Sequence, residues 1–148
     1  MEIIDLLTVR NTAYWLNQIR KADWEAAKFL FELVAENKVS ELLGEAKILM
    51  LVNGCELISF CTFAEKDDIK ETNLSPWLGF VYTYPKYRGY HYMQKLINKA
   101  CLLAKEKEHK AIYVSTSEMG LYEKYGFTFY QSLKDINGNN SRVYIKTL

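Results

Sequence analysis

The stretch Trp77-Leu-Gly-Phe-Val-Tyr-Thr-Tyr-Pro-Lys-Tyr-Arg-Gly-Tyr-His-Tyr-Met-Gln-Lys-Leu96 reads as a strand, a short turn and the opening of a helix. Trp77–Tyr84 is rich in aromatic and β-branched side chains and stops at Pro85, which has no N–H to give a ladder. From Met93 onward the apolar positions are Met93, Leu96, Ile97, Ala100, Cys101 and Ala104. That spacing is one buried stripe of an amphipathic helix. The join is the unusual part. Lys86-Tyr-Arg-Gly-Tyr-His-Tyr92 lacks the Ser, Thr, Asp or Asn that normally caps a helix start, and it sets two cations beside the positive end of the helix dipole. A bound anion such as a phosphate would satisfy both the free N–H groups and the charge. Water or a nearby carbonyl is the alternative.

Working outward, basic residues (Lys105, Lys107, Lys110) collect at the expected negative end of this helix. Ala111–Thr116 is a short β-branched strand, and strand–helix–strand order predicts a right-handed parallel crossover pairing it with Trp77–Tyr84. Met119-Gly-Leu-Tyr-Glu-Lys-Tyr-Gly-Phe127 follows, a short helix stopped by a left-handed Gly126. Phe127–Leu133 and Arg142–Thr147 form a closing hairpin around Asn137-Gly138-Asn139-Asn140.

Upstream, residues 2–7 make a short strand, and Tyr14, Trp15, Ile19 and Ala22 mark a first helix. Asp23 is the expected N-cap of a second, with the stripe Ala26, Phe29, Leu30, Leu33 and Val34. A helical piece, Val39 to Leu43, stops at Gly44. Lys47–Val52 and Cys55–Glu65 are strands joined through Asn53-Gly54, a type I′ signal. The acidic segment Lys66–Pro76 reads as a solvated connection, or else as a lip over a binding site.

At 148 residues and 49% hydrophobic content the chain is expected to form one domain, residues 1–148. Nineteen basic against 18 acidic residues give a net charge of +1, which offers no electrostatic reason for nucleic acid or an anionic membrane as partner. No apolar run approaches the roughly 20 residues of a membrane span, and no signal peptide is evident. Cys55, Cys61 and Cys101 have spacings suited neither to a disulfide framework nor to zinc, so buried thiols in a cytoplasmic protein are expected.

Pro85-Lys-Tyr-Arg-Gly-Tyr-His-Tyr-Met93 resembles the acetyl-CoA loop of the GNAT superfamily of N-acetyltransferases, Q/R-x-x-G-x-G/A after a strand. Arg88 holds the first motif position, while His91 and Met93 stand where the family carries its two glycines. Leu121-Tyr-Glu-Lys-Tyr-Gly-Phe127 resembles a second segment of the same superfamily, in the right order and on the right element. Together the two segments and the element order extend the resemblance over essentially the whole chain. It implies an α/β fold, a mixed sheet splayed between two central parallel strands and flanked by helices, with CoA in the gap.

The resemblance also implies roles. Val81, Tyr82 and Thr83 would line the pantetheine arm, and Arg88, Gly89, Tyr90, His91, Tyr92, Met93 and Gln94 the pyrophosphate. Ser115 stands where many members carry an asparagine that contacts CoA, with Thr116 and Ser117 adjacent. The implied reaction is attack of a primary amine, from a small molecule or a peptide, on the thioester of acetyl-CoA. An alkyl amine is neutral to only about 1 part in 1000 at pH 7, so a base is useful. The departing thiolate needs an acid that stays protonated, and a phenol qualifies. The family assigns this acid to the position of Tyr122; Tyr125, one turn on, is expected to face the core. Glu65, Asp67, Asp68 and Glu71 are candidate bases, and neither His91 nor His109 is assigned a catalytic or metal role. No metal is expected, and the partner left open is a second copy in a homodimer. The alternative is a non-catalytic CoA-binding or CoA-sensing module of the same fold, which the two replaced glycines favour.

Overall fold

The computed structural model describes residues 1–148. Its elements run β1 (Glu2–Asp5), α1 (Thr12–Arg20), α2 (Glu25–Ala35), α3 (Val39–Leu43), β2 (Ala46–Asn53), β3 (Glu56–Ala64), β4 (Trp77–Thr83), α4 (Tyr92–Glu106), β5 (Ala111–Thr116), β6 (Thr128–Lys134) and β7 (Asn140–Thr147). Single turns of 3₁₀ helix occupy Pro85–Tyr87 and Tyr122–Tyr125. All strands join one seven-stranded sheet in the order β1-β2-β3-β4-β5-β7-β6. β4 and β5 are its parallel pair, as the crossover argument requires. No helix is long and apolar enough to cross a membrane.

Period-two alternation distributes the core. Ile48, Met50 and Val52 of β2 point to the face covered by α1 and α2, where they meet Leu6, Trp15, Ile19 and Leu30. Leu49 and Leu51 point to the other face and pack with Leu96, Ile97, Ala100 and Ala104 of α4. That is the apolar stripe read from the sequence. Full burial of each such aliphatic side chain contributes about 1.5–3 kcal/mol, so α4 is fixed to the sheet firmly enough to hold its N-terminus in place.

Several local expectations are corrected. The N-cap of α2 is Trp24, not Asp23, and no side chain caps it. The β2–β3 loop is Gly54-Cys55, between paired Asn53 and Glu56, with positive φ only at Gly54. This is the II′ pattern rather than the I′ turn that Asn53-Gly54 suggested. Cys55 is therefore exposed, while Cys61 is buried and Cys101 half-buried. Burial alone pushes the Cys61 thiol up to about 12, which makes it inert.

Candidate active site

β4 and β5 pair only through Trp77↔Tyr113 and Leu78↔Val114. Beyond these two rungs they diverge, and the fork opens into a cleft of about 1020 Å³. A register shift helps to open it. Phe60 pairs with Tyr82 and Thr62 with Gly79, so Phe80 and Val81 together face Cys61. Such a bulge re-aims the strand at one point. Phe80 absorbs it with a φ of 48°, a left-handed value rare for an aromatic residue. The ring of Phe29, 6.3 Å away on α2, supports it.

The cleft wall contains Val81, Tyr82 and Thr83 of β4, then Arg88, Gly89, His91, Tyr92 and Met93 at the start of α4. Two of the expected residues stand outside it. Tyr90 is 64% exposed and stacks on Tyr92 at 5.6 Å, and Gln94 donates from Nε2 to Asn98 Oδ1 at 2.7 Å. The helix start is uncapped, as the sequence indicates, and its first residue is left-handed. His91 is the N-cap and lies in the left-handed region, at φ 59° and ψ 26°, not in helical geometry. Met93 lies inside α4 and is ordinary helix. The sequence shows no glycine at 91; the one signal for that turn is the glycine that the resembled motif carries at this position.

The two cations part company. Lys86 turns away to Glu56 at 3.0 Å, and the Tyr87 hydroxyl donates to the same carboxylate. Arg88 stays at the cleft: its Nε donates to the Thr83 carbonyl at 2.8 Å, and its guanidinium sits 5.4 Å over the Tyr82 ring.

On the β5 side, Ser115 lines the cleft and shares a 2.6 Å hydrogen bond with Ser141. Tyr122 and Tyr125 both line it, on the 3₁₀ turn ended by left-handed Gly126 at φ 90°. Tyr122 is the more enclosed, 6% exposed against the Phe127 ring, and Tyr125 only half-buried, the reverse of the expectation that Tyr125 faces the core. A 3₁₀ turn spaces side chains by 120° rather than 100°, which redistributes the faces. Burial first, then the neighbouring Cys61, Asp67, Glu118 and Tyr125, raises the Tyr122 phenol above its usual range. It stays protonated.

The candidate bases separate as well. Glu65 is occupied in structure, accepting the Glu45 N–H at 2.7 Å, and Glu71 is exposed. Asp68 lines the cleft. Asp67 is folded under the loop against Gly79, where burial and the charge of Asp68 hold its carboxyl well above the usual range. The Asp67–Asp68 segment is thus not a solvated connection: it is pinned inward by Ile69, which is 7% exposed and bridges to Asp135. His91 is exposed on the turn, and His109 lies away from the cleft. No group of three or more His, Cys, Asp or Glu is placed to hold a metal ion.

Residues 68–130 match the family model of the acetyltransferase (GNAT) domain. No curated protein sequence matches the chain. Among solved structures, the Enterococcus faecium aminoglycoside 6'-N-acetyltransferase is 15% identical, with 99% of this chain and 97% of that one covered at a TM-score of 0.71. An aminoglycoside 6'-N-acetyltransferase complexed with coenzyme A is 16% identical at the same coverage and TM-score. A GNAT acetyltransferase from Elizabethkingia anophelis with acetyl-CoA bound is 18% identical, with 99% and 97% covered at a TM-score of 0.63. The forked sheet is thus the GNAT fold. The matched segment resembles the GNAT acetyltransferase domain, and the chain as a whole shares the fold of these acetyltransferases.

Proposed function

We propose that this protein transfers an acetyl group from acetyl-CoA to a primary amine of a small molecule or peptide, by direct attack. The observation that carries the reading is the fork itself. A strand with free inner-edge groups (Val81, Tyr82, Thr83) leads from Tyr122 to an uncapped helix N-terminus carrying Arg88. A ligand with an amide-containing arm and a diphosphate at its far end matches that layout.

In this reading the amides from Gly89 to Met93 hold the diphosphate, with Arg88 adding a charged hydrogen bond, and Ser115 contacts the arm from the opposite wall. The acceptor nitrogen, delivered as the neutral amine, attacks the thioester carbon; the tetrahedral intermediate collapses, the sulfur leaves with the Tyr122 proton, and the surplus proton on nitrogen returns to the Tyr122 phenolate. A phenol kept neutral by burial is suited to that step. Tyr90 and Gln94 turn their side chains away from the cleft, so Tyr90 would contribute through its amide alone. Similarity to aminoglycoside acetyltransferases puts small polyamines first on the list of acceptors to assay.

The test is a thermal-shift titration with CoA and acetyl-CoA, followed by CoA release across a panel of amines. Binding at 100 times Kd should stabilise the fold by about 2.7 kcal/mol. Arg88→Ala should weaken binding by about 1.5–3 kcal/mol if the guanidinium meets phosphate. No shift at millimolar CoA overturns the reading, and a shift without turnover of any amine leaves a CoA-binding module.

A further inference from the structure

The turn that carries Tyr122 is only loosely held by its own backbone. The Lys124 N–H donates to the Leu121 carbonyl at 3.3 Å, and the Gly126 and Phe127 N–H groups donate to Glu123 and Tyr122 at 3.2 Å. Such bonds are ordinarily about 2.9–3.0 Å long, and 3₁₀ geometry makes them poorer still. Glu123, Lys124 and Gly126 are exposed, so packing adds little at the outer side. The final carbonyl of a helical turn has no donor within the turn. That of Tyr125 finds one elsewhere: Lys146, on β7, donates to it from Nζ at 2.5 Å.

Lys146 is built into this place. A Cβ on Gly126 would lie 2.8 Å from its Nζ, so the glycine that ends the turn also makes room for the ammonium. Nζ lies 6.0 Å from the centre of the Phe127 ring, and that ring meets Tyr122 in a T-shaped contact at 5.7 Å. On the α4 side, burial raises the Cys101 thiol and the Lys146 charge offsets part of the rise. The ion pairs of the protein are Lys47–Asp5, Lys86–Glu56 and Lys107–Glu45, so no carboxylate holds Lys146. Its partner is the turn. Lys146 itself stands opposite Ile112 of β5, next to the Tyr113 and Val114 rungs that close the fork.

We propose that Lys146 is a positioning residue for acetyl transfer, tying the Tyr122–Tyr125 turn to β7 so that the Tyr122 hydroxyl stays fixed at the cleft wall. The inference rests on the acetyl-transfer reading above, with Tyr122 as the acid. Lys146 is outside the cleft lining and acts only through the turn. A proton is passed across hydrogen-bond distance, and a misplacement of about 1 Å can cost about 10²-fold in rate. A loosely bonded turn needs an outside tie to meet that tolerance. A charge-assisted bond to its last carbonyl is the strongest kind available there, and a lysine suits the carbonyl end of a turn.

The experiment compares Lys146→Met, which keeps an unbranched apolar stem, with Lys146→Arg, which keeps a charged donor. Both are made in wild type and in Tyr122→Phe, and CoA release is followed with acetyl-CoA as donor and 1,4-diaminobutane or kanamycin as acceptor. In wild type, Lys146→Met should lower kcat at least tenfold, with acetyl-CoA KM and CoA affinity within twofold. Retained CoA affinity shows that the variant is folded. Deuterium uptake at the Gly126 and Phe127 amides should quicken at least tenfold. Lys146→Arg should keep kcat within threefold of wild type. In Tyr122→Phe, Lys146→Met should change kcat less than twofold, because the hydroxyl it positions is gone. The proposal is overturned by an unchanged kcat in Lys146→Met, by equal losses in both backgrounds, by unaltered uptake at 126 and 127, or by Lys146→Arg falling as far as Lys146→Met. If wild type acetylates neither amine, or no faster than Tyr122→Phe, the reading of Tyr122 as the acid fails first and the positioning role falls with it. Faster uptake in Lys146→Met would then mark a tie that serves the fold alone.

Discussion

The carboxyl of Asp67 occupies the space that a side chain on Gly79 would fill. A Cβ built at 79 collides with Asp67 Oδ1 and falls 2.8 Å from its Cγ and 3.0 Å from Thr62 Oγ1. Glycine is required there by close approach, not by dihedral angle. Gly79→Ala should therefore destabilise by about 1–3 kcal/mol, as overpacking does. Read by urea unfolding, the loss should shrink when Asp67 is itself replaced by Ala, and additive losses would show that the two do not touch in solution.

Asp67 also makes stability depend on pH. Its folded-state pKa is raised, by burial and then by Asp68. A raised carboxyl favours the fold while protonated; the contribution is complete below the unfolded pKa and disappears as pH rises through the folded one. Wild type should lose stability as pH climbs from the ordinary carboxylate range toward neutrality. Asp67→Asn, neutral throughout, should flatten that slope. Parallel pH profiles for the two proteins would mean that Asp67 is ionised in the folded state.

His91→Gly is expected to stabilise the protein. In helical geometry the change would lose about 0.5–1 kcal/mol from backbone entropy. The left-handed His91 reverses the sign, since a residue with a Cβ bears about 1–2 kcal/mol there that glycine does not. The net gain should be a few tenths to about 1 kcal/mol by chemical denaturation, with CoA affinity unchanged or tighter. A large loss of affinity would mean that the imidazole itself contacts the cofactor.

Tyr122→Phe removes a single hydroxyl from the cleft wall. As the general acid, Tyr122 should contribute about 10²–10⁴ to kcat, so the variant should keep its CoA affinity and lose that factor. Tyr125→Phe should stay within severalfold of wild type. Equal rates for wild type and Tyr122→Phe would move the search to Tyr125, Ser115 and Ser117, all three of which line the same cleft.

Where the sequence was legible, a local pattern carried the information. The stripe from Leu96 to Ala104 and the alternation in Ile48–Val52 each fix a face without reference to the rest of the chain. The uncapped start of α4 was legible for the same reason: a missing cap is a local fact. Long-range packing set what was misread. Asp67 and Asp68 look solvated until β3 and β4 present Thr62 and Gly79 to them. Tyr122 and Tyr125 share the cleft because a 3₁₀ turn eclipses residues three apart, and Trp24 displaces Asp23 at the head of α2, its ring stacked on Tyr82 at 5.6 Å. A glycine beside a bulge was the one available signal for the Asp67 site, and only the paired strands reveal what it accommodates.

The fork between β4 and β5 also gives the protein a built-in reporter of occupancy. Past Leu78 and Val114, main-chain amides aimed into the gap have no strand opposite them, although they lie in the middle of a seven-stranded sheet. Their deuterium uptake should be fast in the free protein, against slow uptake where β4 meets β3. A ligand that lays its own amides along β4 would slow them selectively, and the segment it protects would trace the path of the arm residue by residue, whether or not any acceptor is ever turned over.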